Sequence, residues 1–138
     1  MKLTNGKVLI LIGTVHIIFG ISPYAFGKQF LSFTNNYFFR ISEGLSEFPL
    51  LNGIMNYENF ASFWFVYFGI LFIPLGFLLD YVEINDKKIP KKFVWSYFIF
   101  NLIGSYMIPF SGMTFITLPH SVFILIKYSK KTTDEHNT

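Results

Sequence analysis

The stretch FASFWFVYFGILFIPLGFLL, from Phe60 to Leu79, is the strongest structural signal in the chain because it contains no Asp, Glu, Lys or Arg. A bilayer core about 30 Å thick is crossed by about 20 predominantly apolar helical residues, which is the length of this stretch. Three further uncharged apolar runs occupy residues 8–26, 93–108 and 110–126. All 11 basic and all 8 acidic residues lie outside the four runs. The sequence therefore predicts an all-α protein, a transmembrane antiparallel four-helix bundle.

The composition favours a single membrane domain over residues 1–138. Hydrophobic residues make up 52% of the chain and charged residues 14%, whereas about a quarter of the residues of an ordinary soluble domain are charged. The chain has no cysteine, which excludes disulfides, thiolate metal sites and thiol catalysis. The net charge of +3 comes from lysines that flank the apolar runs, so it indicates membrane orientation and not nucleic-acid binding. The expected partner is the lipid bilayer.

The distribution of basic residues predicts the orientation in the membrane. With a cytoplasmic N-terminus, nine lysines lie on the inner side, and only Lys28 and Arg40 lie on the outer side. Because cytoplasmic segments are enriched in Lys and Arg, we expect a multi-pass protein of the bacterial inner membrane with both termini, including the tail 127–138, in the cytoplasm. Alternatively, the first run is a cleaved secretory signal that ends near Ala25-Phe26-Gly27. The histidine and the regular glycines of this run favour a retained span.

The segment 27–59 joins the first two runs on the predicted outer side. Apolar side chains such as Phe30 and Phe33 are interleaved with polar ones such as Thr34 and Asn35. This pattern predicts one or two short amphipathic helices that lie on the outer surface or cap the bundle. The alternative interpretation is that this segment forms a lid over a pore.

Glycines recur at intervals of seven residues in the first two runs: Gly6, Gly13, Gly20 and Gly27, then Gly69 and Gly76. Seven residues are close to two helical turns, so each set follows one stripe of its helix. Small residues on membrane helices let neighbouring backbones approach closely. We therefore expect Gly13, Gly20, Gly69 and Gly76 to pack helices, either within the chain or against a second copy or another membrane protein.

Three polar side chains inside the runs form the candidate site: His16, Asn101 and His120. At 1.5 Å per residue, His16 and Asn101 lie roughly 12 Å, and His120 roughly 9 Å, from the inner ends of their runs. The three side chains are therefore predicted at a similar depth. No phosphate loop, nucleophile elbow or intramembrane carboxylate pair accompanies them, so no catalytic residue is predicted and an enzyme is not favoured.

Three interpretations of this candidate site remain open. The first is a set of interhelical hydrogen bonds in a structural or interaction protein. The second is a small apolar or quinone-like ligand that accepts a hydrogen bond from a histidine. The third is a haem or metal site that uses His16 and His120, in a membrane redox protein. The sequence does not identify the ligand or cofactor.

The chain contains three short motifs in order: Gly13-x-x-His16-x-x-x-Gly20, Phe63-Trp64-Phe65 with Gly69, and Pro109-x-Ser111-Gly112 followed by Pro119. Taken in this order, the motifs resemble a family of small bacterial four-span integral membrane proteins of unknown function. The resemblance covers most of the chain except the segment 27–59. It implies a four-helix membrane protein and draws attention to His16, but it supplies no substrate or reaction.

Overall fold

The structure, a computed structural model, describes the backbone of residues 3–36, 50–51, 54–55 and 57–136 and the side chains of residues 3–35 and 57–127. The helical fold class is confirmed, and a minimal β-ladder accompanies the helices. The elements in chain order are α1 (Asn5–Gly20), α2 (Gly27–Asn36), β1 (Leu50–Leu51), β2 (Ile54–Met55), α3 (Tyr57–Ile84), α4 (Lys91–Met107), a π-helical turn (Met113–Thr117) and α5 (Leu118–His136).

Helix α3 contains the uncharged stretch from Phe60 to Leu79 and extends beyond it at both ends. Its 28 residues reach about 42 Å at 1.5 Å per residue, which exceeds the thickness of a bilayer core. Among the described residues, α3 is the one helix long and apolar enough to cross a membrane. The helix α1 and the segment Met113–Lys127 are apolar but shorter. Helix length alone thus supports one membrane span, whereas the uncharged runs of the sequence predicted four spans.

The first run is shorter as a helix than as a sequence pattern. Helix α1 ends at Gly20 and not at residue 26, and turns follow it over residues 21–26. Helical backbone is disfavoured for the residue that precedes a proline. Here that residue is Ser22, which precedes Pro23 and lies two residues after the end of α1. The carbonyl of Ser22 accepts a hydrogen bond from the amide of Gly27 at 2.9 Å. This turn leads directly into α2.

The outer segment contains one of the predicted short helices, α2. The strands β1 and β2 follow as an antiparallel pair, with Leu50 opposite Met55. The ladder was not predicted, since two-residue strands are too short to produce a periodic pattern. Residues 37–49, 52–53 and 56 of the predicted segment 27–59 lie outside the described residues.

The fourth run is helical but not uniformly α-helical. The π-helical turn precedes α5, and α5 continues to His136 instead of ending at Ile126. Pro119 has no amide hydrogen, so the carbonyl four residues before it has no α-helical donor. A π-turn pairs residues five apart instead, and the amide of Leu118 accordingly bonds to the carbonyl of Met113. The irregular turn therefore lies directly before Pro119, whose missing amide removes one α-helical bond at this point.

The chain divides into two compact units, and its assignment to a single membrane domain stays a prediction. The first comprises Met1–Val8 and Gly76–Thr138, and the second comprises Leu9–Leu75. The core of the first unit is formed by the buried side chains of Leu79, Val94 and Ile124. These residues come from the end of α3, from α4 and from α5, so burial of their apolar surface holds the three elements together.

In the second unit, α2 packs on the start of α3. The ring centroids of Phe33 and Phe63 are 5.2 Å apart. The side-chain amide of Asn59, which is buried, donates to the hydroxyl of Ser32 at 3.0 Å. The apolar contact and the polar contact together fix the amphipathic helix against α3.

Candidate functional site: a buried polar layer on α4 and α5

Two contacts define the antiparallel register of α4 and α5 in the first unit. The Tyr97 hydroxyl lies 3.1 Å from Nδ1 of His120. Seven residues further along α4, Gly104 faces Met113, seven residues back from His120: a Cβ added at this glycine would lie 2.5 Å from the Met113 sulfur. The step from Tyr97 to Gly104 and the step from His120 back to Met113 are both seven residues long. The two helical segments therefore keep a constant antiparallel register between these two contacts. Asn101 therefore lies opposite the π-helical turn.

Polar side chains form a stripe on each of these two helices. On α4, Tyr97, Asn101 and Ser105 are spaced four residues apart and share one face. Asn101 is fully buried, and Ser105 is 9% exposed. On α5 and the turn before it, three further polar residues are buried: Thr117, His120 and Ser121. We call these six residues the polar layer.

Part of the polar layer is hydrogen-bonded within the protein. The side-chain amide of Asn101 donates to the backbone carbonyl of Tyr97 at 2.7 Å. Thr117 and Ser121 donate to carbonyls of their own helical segment, at 3.2 and 2.7 Å. With the Tyr97 hydroxyl as donor to Nδ1, the ring of His120 carries its proton on Nε2.

Other atoms of the polar layer are buried without a partner. Among the described residues, the buried side-chain atoms that lack a hydrogen bond are Asn101 Oδ1, Ser105 Oγ, His120 Nε2 and Ser111 Oγ. Three of the four belong to the polar layer, and Ser111 lies in the turn that leads to it. An unpaired buried polar group costs about 1–3 kcal/mol. A hydrogen-bonding partner at these atoms, which lie on α4 and α5, would therefore be stabilising.

The unpaired atoms offer complementary hydrogen-bonding roles. With the tautomer above, His120 Nε2–H is a donor, and Asn101 Oδ1 is an acceptor. The Ser105 hydroxyl can serve as either. Apolar side chains of the same unit, such as Val94 and Ile124, are buried nearby on the same two helices. The layer thus offers both hydrogen-bond donors and acceptors beside apolar side chains.

His16 has different surroundings, in the second unit. Its Nε2 donates to the backbone carbonyl of Phe65 at 3.0 Å. Its ring also stacks on the Phe65 ring, with centroids 3.9 Å apart and an interplanar angle of 18°. Both contacts join α1 to α3. This geometry makes His16 a packing residue, whereas Nε2 of His120 is buried without a hydrogen-bond partner.

The glycines permit this close packing in the second unit. A Cβ added at Gly13 would lie 2.7 Å from the carbonyl oxygen of Gly69. A Cβ added at Gly20 would lie 2.7 Å from the ring of Phe65. Any side chain at these positions would push the helices apart. These contacts occur within one chain.

In the first unit, Gly6 faces the end of α3. A Cβ added at Gly6 would lie 2.5 Å from the carbonyl oxygen of Gly76 and would also overlap the backbone of Asp80. Gly76, one of the glycines predicted to pack helices, therefore contributes its carbonyl oxygen to this contact. The absence of a side chain at Gly6 is what permits the close approach.

A polar clamp surrounds this glycine contact. Glu83 accepts hydrogen bonds from the Asn5 side chain at 2.5 Å and from the Gly6 amide at 3.1 Å. It also pairs with Lys127 at 3.4 Å. The hydroxyl of Thr4 bonds to the carboxylate of Asp80. The clamp joins the beginning of α1, the end of α3 and α5.

A family model establishes the relationship of this chain. The model describes a family of unknown function, DUF6463, and it matches residues 2–131. The chain belongs to this family. No curated protein matches the chain, and no solved structure matches it.

The structure brings together two of the three candidate residues of this DUF6463 member. Asn101 and His120 lie in the first unit, joined through Tyr97, while His16 bonds within the second unit. Among the described residues, no group of three or more His, Cys, Asp or Glu side chains could hold a metal ion. The haem or metal site that would use both histidines stays a prediction.

Sequence reasoning missed several members of the site. Tyr97 lies inside an apolar run and so does not stand out, although its spacing of four from Asn101 places both on one helical face. Ser105 extends that face by one more turn. Glu83 lies near a charged turn, and no local sequence pattern predicts that it accepts hydrogen bonds from residues near the N-terminus.

Proposed function

We propose that this DUF6463 member is a four-span integral membrane protein whose polar layer binds a small lipid-soluble molecule with a hydrogen-bonding head. The concentration of unpaired buried polar atoms on α4 and α5 carries this proposal. A purely structural polar layer would be expected to pair these atoms, because each unpaired one lowers stability. The hydroxyl of a phenol-like or quinol-like head would accept from His120 Nε2–H and donate to Asn101 Oδ1.

The membrane placement is supported by the apolar surface outside the buried core. Large apolar side chains on α1, α4 and α5 are widely exposed, as on Ile18 (61%), Ile103 (54%) and Phe123 (58%). Water contact with so much apolar surface is unfavourable, whereas lipid contact is not. Helix α1, with 16 residues, reaches about 24 Å. It would cross a bilayer with little tilt or with local thinning.

The proposed orientation keeps both termini in the cytoplasm. The nine inner lysines and the two outer basic residues of the sequence support it. The glycine stripe of α1 already contacts α3 of the same chain. A homo-oligomer or a complex with a membrane partner would therefore use other surfaces.

Cysteine labelling tests the orientation, since the chain has no native cysteine. Lys28→Cys and Lys87→Cys both replace exposed lysines, at predicted outer and inner positions. A membrane-impermeant maleimide should label the first variant in intact cells and the second only after permeabilisation. Labelling of both variants in intact cells would contradict the four-span orientation.

Native mass spectrometry detects a bound molecule whatever its chemical identity. The full chain, extracted from expressing cells in a mild detergent, should carry an additional small mass. Asn101→Leu and His120→Phe should each lose that mass. Ser96→Ala is the matched control, because the exposed Ser96 bonds only to carbonyls of its own helix and should leave the mass in place. Identical spectra for the wild type and Asn101→Leu would contradict ligand binding.

A further inference from the structure

The end of α3 and the start of α4 present a basic and aromatic surface in the first unit. Four lysines lie on it or on the turn between the helices, and all are exposed: Lys87, Lys88, Lys91 and Lys92. Two aromatic side chains flank them, Tyr81 at 58% and Trp95 at 44% exposure. We call these six residues the basic surface.

Two carboxylates at the end of α3 have partners outside the basic surface. Asp80 bonds to Thr4, and Glu83 bonds to Asn5, Gly6 and Lys127. Within the described residues, neither Lys91 nor Lys92 has an acidic partner. Residues 85–92 then carry four lysines against one acidic residue, Asp86. The surface therefore has a net positive charge.

The aromatic side chains are arranged as interfacial anchors beside the lysines. The ammonium of Lys87 lies 5.4 Å from the centre of the Tyr81 ring, within the range of a cation–π contact. Lys91 and Trp95 are four residues apart on α4 and share one face. Tyrosine and tryptophan prefer the headgroup level of a bilayer, and lysine extends its ammonium to the same level.

We infer that the basic surface binds the headgroups of anionic phospholipids at the inner leaflet. The inference goes beyond ligand binding in the polar layer and rests on the proposed membrane placement. Juxtamembrane lysines attract anionic lipids through a field that extends about one Debye length. The aromatic side chains fix the depth of the surface, and the lysines select the charge of the lipid.

Energy transfer from a single tryptophan to a labelled lipid tests this inference. The chain has two tryptophans, so Trp64→Phe leaves Trp95 as the sole donor. The full-length variant is incorporated into phosphatidylcholine nanodiscs that contain a small fraction of dansyl-labelled phosphatidylglycerol or dansyl-labelled phosphatidylcholine. Transfer to the anionic probe should exceed transfer to the neutral probe by roughly threefold at low salt, and the ratio should approach one at about 1 M salt.

Two variants separate the basic surface from general charge attraction. Replacement of Lys87, Lys91 and Lys92 by Gln should bring the ratio at Trp95 close to one. Lys28→Gln, which removes an exposed lysine of the second unit, should leave the ratio unchanged. A reporter with Trp95→Phe, in which Trp64 is the donor, should show no preference for the anionic probe.

The outcomes distinguish the two proposals. Equal transfer to both probes from Trp95, in protein that has entered the nanodiscs, would overturn the lipid inference alone. A preference that survives the triple Lys→Gln replacement would also overturn it. Failure of the folded chain to enter nanodiscs would instead contradict the membrane placement on which the inference rests.

Discussion

Replacing Gly13 with alanine should destabilise the helix contact of the second unit. The added methyl group would lie 2.7 Å from the carbonyl oxygen of Gly69 and 2.9 Å from Cβ of Phe72. Relaxed contacts of carbon atoms lie near 3.5 Å or beyond. The obstructing oxygen belongs to the backbone of α3, so it cannot move by a change of rotamer. The helices would have to separate by roughly half an ångström.

The magnitude follows from two opposing terms. Overpacking of a close contact costs about 1–3 kcal/mol. Alanine is favoured over glycine within a helix by about 1 kcal/mol, which offsets part of the cost. Separation would also lengthen the His16 hydrogen bond to Phe65, currently 3.0 Å, and such bonds average about 0.6 kcal/mol in membrane proteins. We therefore expect a net loss of about 1–2 kcal/mol.

Equilibrium unfolding of the full chain in mixed micelles measures this loss. The mole fraction of dodecyl sulfate is raised in dodecyl maltoside, and helicity is followed by circular dichroism. Gly112→Ala is the matched control, because its backbone is helical at φ −58° and ψ −24° and nothing lies within 4 Å of the added methyl group. It should be neutral or stabilising by up to about 1 kcal/mol.

The ordering of the two variants is the decisive result. If Gly13→Ala unfolds at the same dodecyl sulfate fraction as Gly112→Ala, or at a higher one, the close backbone contact is not present in the protein. The double variant Gly13→Ala and Gly69→Ala should lose less than the sum of the single losses, because both methyl groups enter one contact.

Three further predictions concern the clamp, the π-turn and His16. Glu83→Gln should lower the free energy of unfolding by only roughly 0.5 kcal/mol at low salt, because its partner Lys127 is largely exposed. The loss should be smaller at about 1 M salt, because salt screens the ion pair. Unfolding at both salt concentrations measures the loss, and a salt-independent loss would contradict the ion pair. Pro119→Ala introduces an amide hydrogen and should convert the π-turn to α-helix, in which this amide donates to the carbonyl of Phe115. Hydrogen exchange should then show a protected amide at residue 119, and rapid exchange there would contradict proline as the cause. His16→Phe keeps a ring over Phe65 and should cost only about 0.6 kcal/mol in unfolding, whereas a cost of several kcal/mol would show that the hydrogen bond does more than join two helices.

The sequence predicted the approximate depth of the polar residues but not their hydrogen-bond partners. The depth calculation placed His16, Asn101 and His120 at similar levels because rise per residue is constant along a helix. It could not separate the packed His16 from the partly unpaired His120. That difference depends on which backbone carbonyl or hydroxyl lies beside each ring.

Helix type and approximate extent were determined by local chemistry. Uncharged apolar runs produced α3 and α4 close to their predicted limits, since both runs lack internal breakers other than Pro74. Ser22-Pro23 and Pro119 shortened or distorted the other two helices, and both signals were present in the sequence. Gly13, Gly20 and Gly69 of the seven-residue pattern lie where α1 and α3 approach closely, and close approach of two backbones requires small residues.

Which elements meet, and at what register, became known only from the folded chain. Helical periodicity specifies a face but carries no information about its partner, so Gly13 could have faced any helix, including one of a second copy. The contact of Gly13 with Gly69, the bonds of Glu83 to Asn5 and Gly6, and the pairing of Tyr97 with His120 all join residues distant in sequence. Such contacts arise because burial and hydrogen bonding are optimised over the whole chain. The unpaired atoms of the polar layer became visible only once that packing was known.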